Sequence, residues 1–397
     1  MNRIKGRGPT LAKDMNRKQI YGELKRSALT TRAALAAALT LNKNTVNTIV
    51  EELRRAGYVR ERGLLGSGGA GRKAVGIAFA ADNRCAIGMQ LQHASLRVVV
   101  TDLYAAPLVE FEQQVPGLDP EEVAQAIGRA ATRAAAAAPA PIIGTALGLP
   151  GLLDEAASTV VASSHLGWQA VAFKTMAEQA CRSAVLLDNS VKLATLGELW
   201  QGGGAGDAGA HFAYCSFGTG VGCGLILDGQ IARGAAGSAG ELGHIVVEPD
   251  GPRCSCGNRG CLEAVVGLPA VRARLALEMP VPDTLSGGWL AEEAARGNAR
   301  AAQELERIGH AIAAALSALV NLLNPDEIIC DGPLMEAAER LFPIIRREME
   351  KRTLGYAMTR VRLSRSTLYP SAGAIGAAAS VIANWERQAD PLEPMTF

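Results

Sequence analysis

The chain has 397 residues, 48% of them apolar, and a formal net charge of +1; that length exceeds what one typical core fills, so two or three domains are expected. The longest apolar run, Ile308 to Leu323, includes His310 and is too short to span a bilayer, which excludes a membrane helix there and leaves a buried core helix. The near-neutral sum hides a division: residues 1–73 hold 16 Lys and Arg against 5 Asp and Glu, so the rest of the chain carries −10.

A basic module on an acidic body points to a polyanion partner at one end, because Lys and Arg beside phosphates release counterions. Arg17 to Arg26 read as a first helix with Ile20 and Leu24 on one face. Thr31 caps a short Ala-rich helix that runs through Leu39, and Thr40 and Leu41 make a turn. Asn42 caps a third helix in which Val46, Ile49, Val50 and Leu53 recur at i, i+3, i+4 and i+7. Its opposite face offers Lys43, Asn44, Thr45, Asn47 and Thr48, short polar side chains suited to base edges and phosphates in a major groove. Tyr58 to Arg62 and Ala74 to Phe79 pair as strands around a glycine-rich tip that ends in Arg72 and Lys73, the pattern of a wing. A nucleotide loop is the alternative for Gly66 to Gly71, but the strand–loop–helix context it needs is absent.

Beyond residue 80 a three-strand meander is expected, from Ala86, at Leu96 to Leu103 and near Leu108 to Val115. An Ala-rich helix follows from Pro120 to Ala138, then a strand at Ile142 to Leu149, a helix after Trp168, a strand at Ala184 to Asp188 and a helix to Trp200. A second round begins with strands at His211 to Phe217, Val221 to Leu227 and Ile245 to Glu248, continues through long helices to strands at Glu327 to Asp331 and Val361 to Ser364, and closes on a helix from Ala372. Two similar α/β lobes result, and ligands in such folds bind in the crevice at the carboxyl ends of strands.

Within the second round, His244 precedes Cys254, Cys256 and Cys261, four soft ligands in 18 residues. A Cys3His set at that spacing points to structural Zn²⁺, with Gly257 and Gly260 letting the loop fold back. No secretory signal precedes the chain, so disulfides are not expected; Cys85, Cys181, Cys215, Cys223 and Cys330 read as core filler. The expected compartment is the cytoplasm.

Gly240-Glu241-Leu242-Gly243-His244, followed by Cys254-Ser255-Cys256-Gly257-Asn258-Arg259-Gly260-Cys261-Leu262-Glu263, resembles the zinc and sugar signature of the ROK family, named for repressors, open reading frames and kinases. Gly148-Leu149-Pro150-Gly151, Gly167-Trp168 and Gly218-Thr219-Gly220-Val221-Gly222 extend the resemblance over nearly the whole chain. It implies a two-lobed, actin-like (ribonuclease H-like) sugar-kinase fold of the α/β class. The N-terminal winged helix-turn-helix resembles the family's repressor branch. Residues 1–80 are then the DNA-binding domain, 81–200 the first lobe and 201–397 the second, with the C-terminal helix returning to the first lobe.

Departures from the kinase pattern bear on activity. Where kinases of the family carry D-x-G-G-T, this chain has Gln90, Leu91, Gln92, His93 and Ala94. The base that follows an asparagine in kinases is here Ser190, and an unassisted hydroxyl cannot act as a general base near neutral pH. Asp188 is adjacent, but strand alternation points it the other way. The nucleotide turn is Asp331-Gly332-Pro333, which sets a carboxylate and a residue without N–H where phosphates need donors.

By resemblance Asn189, Glu241, His244 and Glu263 match sugar-binding positions, and His165 stands where many members have asparagine. Together these features predict a non-catalytic, sugar-responsive repressor of carbohydrate genes. It would bind operator DNA, a sugar or sugar phosphate, structural Zn²⁺ and a second copy of itself, as homodimer or homotetramer. A sugar kinase with an attached DNA-binding domain is the competing reading.

Overall fold

A computed structural model describes residues 8–65, 74–92, 94–154, 156, 158–203 and 209–388. The chain divides into two compact units, one formed by residues 1–85, 139–143 and 382–397 and the other by residues 86–138 and 144–381.

In the first unit, helices α1 (Gly8–Arg26), α2 (Arg32–Ala38) and α3 (Lys43–Arg55) precede a hairpin, and the short strand β1 (Thr30–Thr31) lies before α2. Local chemistry sets the helix starts. Thr31 Oγ1 accepts the N–H of Ala34, and Asn42 Oδ1 accepts the N–H of Asn44 at 2.8 Å, each satisfying a donor that a helix N-terminus leaves open. The apolar stripe of α3 is buried at Val46, Ile49, Val50 and Leu53, and Ile20, Leu24 and Leu35 meet it from α1 and α2. Strands β2 (Val59–Leu65) and β3 (Ala74–Phe79) pair antiparallel, with β1 on the other edge of β3. The register slips between Glu61 and Leu64, where Gly63 takes φ +80°. The hairpin tip that carries Arg72 and Lys73 lies outside the described residues. Residues 382–388, the last turns of a helix that starts at Ala372, complete this unit. Trp385 sits beside Tyr21 and Tyr58, and Glu386 receives Lys25 Nζ at 2.6 Å and the Tyr21 hydroxyl at 3.1 Å.

The second unit is built on two five-stranded sheets with the same connectivity. In the first, the meander β4 (Cys85–Gln92), β5 (Ser95–Thr101) and β6 (Pro107–Gln114) is followed by α4 (Pro120–Ala137), β7 (Ile142–Leu149), a small sheet of β8 (Leu152–Leu153), β9 (Val160–Ser163) and β10 (Trp168–Val171), then α5 (Phe173–Cys181) and β11 (Val185–Asn189). The spatial order is β11-β7-β4-β5-β6, with β11 parallel to β7. Helix α6 (Ser190–Gln201) leads to the second meander, β12 (Phe212–Phe217), β13 (Val221–Leu227) and β14 (Gln230–Ile231). Helices α7 (Leu262–Val266), α8 (Leu268–Leu275), α9 (Gly287–Ala295) and α10 (Ala299–Leu323), then β15 (Glu327–Asp331), α11 (Ala338–Glu350), α12 (Gly355–Met358), β16 (Arg362–Arg365) and α13 (Ala372–Gln388) finish the chain. The second order is β14-β13-β12-β15-β16, again a meander flanked by parallel strands. Repetition of meander plus two parallel strands is the two-lobed α/β architecture expected from the sequence.

One expected strand is corrected. Ile245 to Glu248 form no strand: Leu242–His244 is a single 3-10 turn, and only Val246 makes an isolated bridge, to Cys261. Gly243 passes so close to β13 that a Cβ would lie 2.3 Å from Val221 O, and Pro249 has no N–H to extend a ladder. The apolar run from Ile308 lies in α10, whose Ile308, Ile312, Leu316 and Val320 are buried in the second lobe. Among the described residues no helix is long and apolar enough to cross a membrane.

Candidate functional site

β11 runs without a loop into α6, so Asn189 is at once the last strand residue and the helix cap. Its Oδ1 accepts the N–H groups of Val191 (2.9 Å) and Lys192 (3.1 Å), and its Nδ2 donates to Gly151 O at 2.9 Å. The amide is thereby fixed in position, with one acceptor serving two donors. Gly148 on β7 permits this junction, since a Cβ there would lie 3.2 Å from Ser190 Cα. Ser190 is buried in the first turn of α6. Asp188 is engaged by Arg233 in a two-pronged ion pair, Nη1 to Oδ1 at 3.2 Å.

A second group converges on Gly220. A Cβ at that position would lie 2.7 Å from Glu263 Oε2 and from His165 Nε2, so glycine leaves room for both side chains. Glu263 Oε2 also accepts the Val221 N–H at 2.9 Å. Next along β13, Gly222 lets Val191 of α6 approach, because a Cβ would meet Val191 Cγ2 at 2.5 Å. Asn189, Glu263 and His165 are thus set by adjoining segments of α6, β13, α7 and the β9–β10 loop.

Glu241 and His244 form the third group. His244 turns Nδ1 toward Cys254 Sγ at 3.6 Å and Nε2 toward the Glu241 carboxylate at 4.0 Å. The ligand atoms of His244, Cys254, Cys256 and Cys261 lie within 4.8 Å of one another. A tetrahedron with metal–sulfur bonds of about 2.3 Å and a metal–nitrogen bond of about 2.0–2.1 Å has edges of about 3.8 Å between sulfurs and about 3.6 Å between sulfur and nitrogen. The Cys256–Cys261 edge is 3.7 Å and the Cys254–His244 edge 3.6 Å, so these four residues could hold a metal ion. The backbone N–H of Asn258 pulls the Cys256 thiol below its ordinary value, while burial pushes Cys261 up to about 12. A metal would have to displace the proton from that second thiol. With Nδ1 turned to Cys254 Sγ, the other ring nitrogen is on the side of the Glu241 carboxylate.

The Asp331–Pro333 turn and the first hairpin's glutamines have partners within the chain. Asp331 is buried and accepts the Tyr214 hydroxyl, and burial raises its pKa. Pro333 packs on Gly218, where a Cβ would lie 3.1 Å from Pro333 Cδ. Gln92 Nε2 donates to Gln90 Oε1 at 3.0 Å and to Pro370 O at 3.2 Å, so the first hairpin's glutamines are turned onto the segment before α13. His93 lies outside the described residues.

Lys192 and Arg233 were not expected from the sequence. Lys192 is only 9% exposed, and its Nζ donates to Gly237 O. The available signal was a single lysine in an otherwise apolar stretch, S-V-K-L-A-T-L, one turn after a capping asparagine.

On the first unit, Lys43, Asn44, Asn47 and Thr48 are exposed along α3 and Thr45 is half-buried. Thr48 Oγ1 donates back to Asn44 O at 3.0 Å. Farther along, Arg54 and Arg55 hold Glu51, whose carboxyl drops to about 2.

A model described as the ROK family matches residues 87–384, and one described as winged helix-turn-helix DNA-binding matches residues 14–60. A xylose repressor of Caldicellulosiruptor bescii is 26% identical over 94% of this chain and 97% of its own. A glucokinase of Halalkalibacterium halodurans is 31% identical, but over 59% of this chain and 74% of its own. Among solved structures, a ROK family transcriptional regulator, homolog of the E. coli MLC protein, is 25% identical and superposes over 96% of this chain and 98% of its own with a TM-score of 0.79.

Proposed function

Because the chain belongs to the ROK family, whose model covers residues 87–384, we propose that it is a sugar-responsive transcriptional repressor of carbohydrate-metabolism genes. The observation that carries this reading is the end-to-end similarity to a xylose repressor, winged helix-turn-helix included, where the glucokinase covers 59% of the chain. Residues 1–80 are assigned to operator DNA. Lys43, Asn44, Thr45, Asn47 and Thr48 would enter a major groove, and Arg72 and Lys73 would meet phosphates. Residues 81–200 and 201–397 are the two lobes of the sensor. Asn189, Glu241, His244, Glu263 and His165 would bind a free or phosphorylated sugar through amide, carboxylate and imidazole groups that match alternating hydroxyl donors and acceptors.

Structural zinc on His244, Cys254, Cys256 and Cys261 would hold His244 in sensing geometry. The body would not catalyse phosphoryl transfer. Ser190 offers no accessible base, and the Asp331–Pro333 turn offers a carboxylate and a missing N–H in place of phosphate donors. The protein would act in the cytoplasm as a homodimer or homotetramer. Sugar would change the spacing of two winged modules, and it can do so only by its differential affinity for the two arrangements.

The test is operator binding by the full-length protein, followed by fluorescence anisotropy across a panel of free and phosphorylated sugars. One sugar should release the DNA; operator binding indifferent to every sugar would overturn the sensor assignment. The 31% identity to a glucokinase favours a second reading, a DNA-tethered kinase. Turnover in a coupled ATP-consumption assay over the same panel would establish it instead. Cys256→Ser should lower bound zinc, measured by elemental analysis, and abolish the sugar response more than DNA binding. Equal loss of both would mean the metal serves only to fold the body.

A further inference from the structure

The segment from Ala232 to Gly240 joins β14 to the turn that bears Glu241 and His244, and two cationic side chains fasten it to the β11–α6 junction. At its start, Arg233 grips Asp188, the penultimate residue of β11. In its middle, Lys192 Nζ donates to the carbonyl of Gly237. Gly234, Gly237 and Gly240 all take positive φ, between +71° and +91°, so the segment follows a path that side-chain-bearing residues resist. At its end Gly240 is held against β13, where a Cβ would lie 2.2 Å from Cys223 O.

The lysine is unusual in its surroundings. A buried ammonium normally takes a carboxylate partner, yet among the described residues none lies within ion-pair distance of Lys192, the nearby Asp188 being committed to Arg233. Lys192 spends its charge on a main-chain carbonyl of the loop instead. A leucine or methionine would fill the same volume without that cost, so packing alone does not account for it.

Resting on the sugar-sensor reading above, we propose that Lys192 is a positioning residue of the cleft. Its ammonium, together with the Asp188–Arg233 pair, clamps residues 232–240 to the start of α6 and so sets where Glu241 presents its carboxylate to the sugar. Asn189, three residues earlier, and Glu241, four residues after Gly237, are thereby locked to one another, and occupancy of the cleft is felt by both segments together. The groups that face Lys192 are Asp188 from β11 and Arg233 and Glu241 from the loop and its end. Burial lowers the lysine's pKa and Arg233 lowers it further, against the pull of Asp188 and Glu241. The clamp therefore holds while the amine is protonated and is lost as pH rises through that lowered value.

The experiment uses zinc-loaded, full-length protein and the variants Lys192→Met, Lys192→Arg and Asp188→Asn. Without sugar, hydrogen–deuterium exchange of peptides spanning 232–243 should quicken at least threefold in Lys192→Met and Asp188→Asn, and return toward the wild-type rate in Lys192→Arg. With the sugar that releases the operator, Lys192→Met should need at least tenfold more sugar while binding operator within twofold of wild type. Sugar affinity of the wild type should fall with rising alkaline pH, while that of Lys192→Arg should not. Exchange and sugar affinity within twofold of wild type in Lys192→Met would overturn the inference and reduce Lys192 to core filling. Failure of the wild type to respond to any sugar is a different result: it sinks the sensor assignment, and the exchange rates still decide whether the clamp exists. Should Lys192→Met fail to fold, Asp188→Asn and Lys192→Arg carry the same exchange test.

Discussion

Two helices of this molecule begin in the same way and end in opposite roles. α3 starts at a capping Asn42 followed directly by Lys43, and α6 at a capping Asn189 with Lys192 three places after it. Both caps are formed, yet Lys43 is exposed and Lys192 is buried. The difference lies in what covers the second face. α3 buries one stripe, Val46, Ile49, Val50 and Leu53, and its other side stays open. α6 is buried on most sides, at Ser190, Leu193, Ala194, Thr195, Gly197 and Glu198 as well as Lys192. α13 lies so close that a Cβ on Gly376 would sit 1.6 Å from Leu193 O, and one on Gly197 would sit 2.3 Å from Ala372 O. A lysine after a cap is a solvated charge when the helix has one covered face, and a positioned internal charge when it has two.

The contact between α6 and α13 is the place to break that comparison. Gly376→Val should force the two backbones apart and cost about 3 kcal/mol or more, because an overpacked site with backbone on its far wall cannot relax cheaply. The body's thermal transition should fall by roughly 5 °C or more. A Gly376→Val protein as stable as wild type would mean that α13 does not pack closely on α6, and the second covered face of α6 would drop out of the comparison.

Exchanging the caps sharpens the contrast. Asn42→Ala removes one bond at an exposed helix start and should cost about 1 kcal/mol. Asn189→Ala removes acceptors for two N–H groups and the donor to Gly151 O, all half-buried, and should cost about 2 kcal/mol. Urea unfolding of the two variants measures both. Equal losses would show that burial of the cap does not matter.

The same contrast explains what could be read in advance. Periodicity and a cap residue defined α3 and the outward position of Lys43, Asn44, Asn47 and Thr48, because one covered face leaves a one-sided pattern in the sequence. The convergence of His244 with three cysteines was legible for a different reason: ligand spacing is local, within 18 residues. Lys192 was not legible, since its setting depends on a carbonyl in the loop at Gly237, 45 residues later in the chain. The strand expected at Ile245 to Glu248 fails for a related reason. The β-branched run Ile245-Val246-Val247 favours a strand, but the close pass of Gly243 over β13 and the turn toward the cysteine loop take the backbone out of register. The small sheet of β8, β9 and β10 is not legible in the sequence, because strands of two and four residues carry too little alternation.

The smallest expected effect on stability belongs to Lys43 and is the most informative about the open face of α3. Lys43→Met removes an exposed charge with no packing partner to lose, so the unfolding free energy should stay within about 0.5 kcal/mol of wild type. DNA binding should respond differently. If Lys43 contacts a phosphate, the slope of log affinity against log salt should shrink by about 1, and affinity should fall nearly uniformly across duplex sequences. Asn47→Ala, on the same face but uncharged, should leave the salt slope alone and weaken operator relative to unrelated duplex by about 1–3 kcal/mol, because a side-chain amide reads base edges and not charge. Anisotropy titrations at several salt concentrations on two duplexes separate the cases. An unchanged slope for Lys43→Met would place that lysine off the DNA, and the face that reads the operator would then have to begin at Asn44.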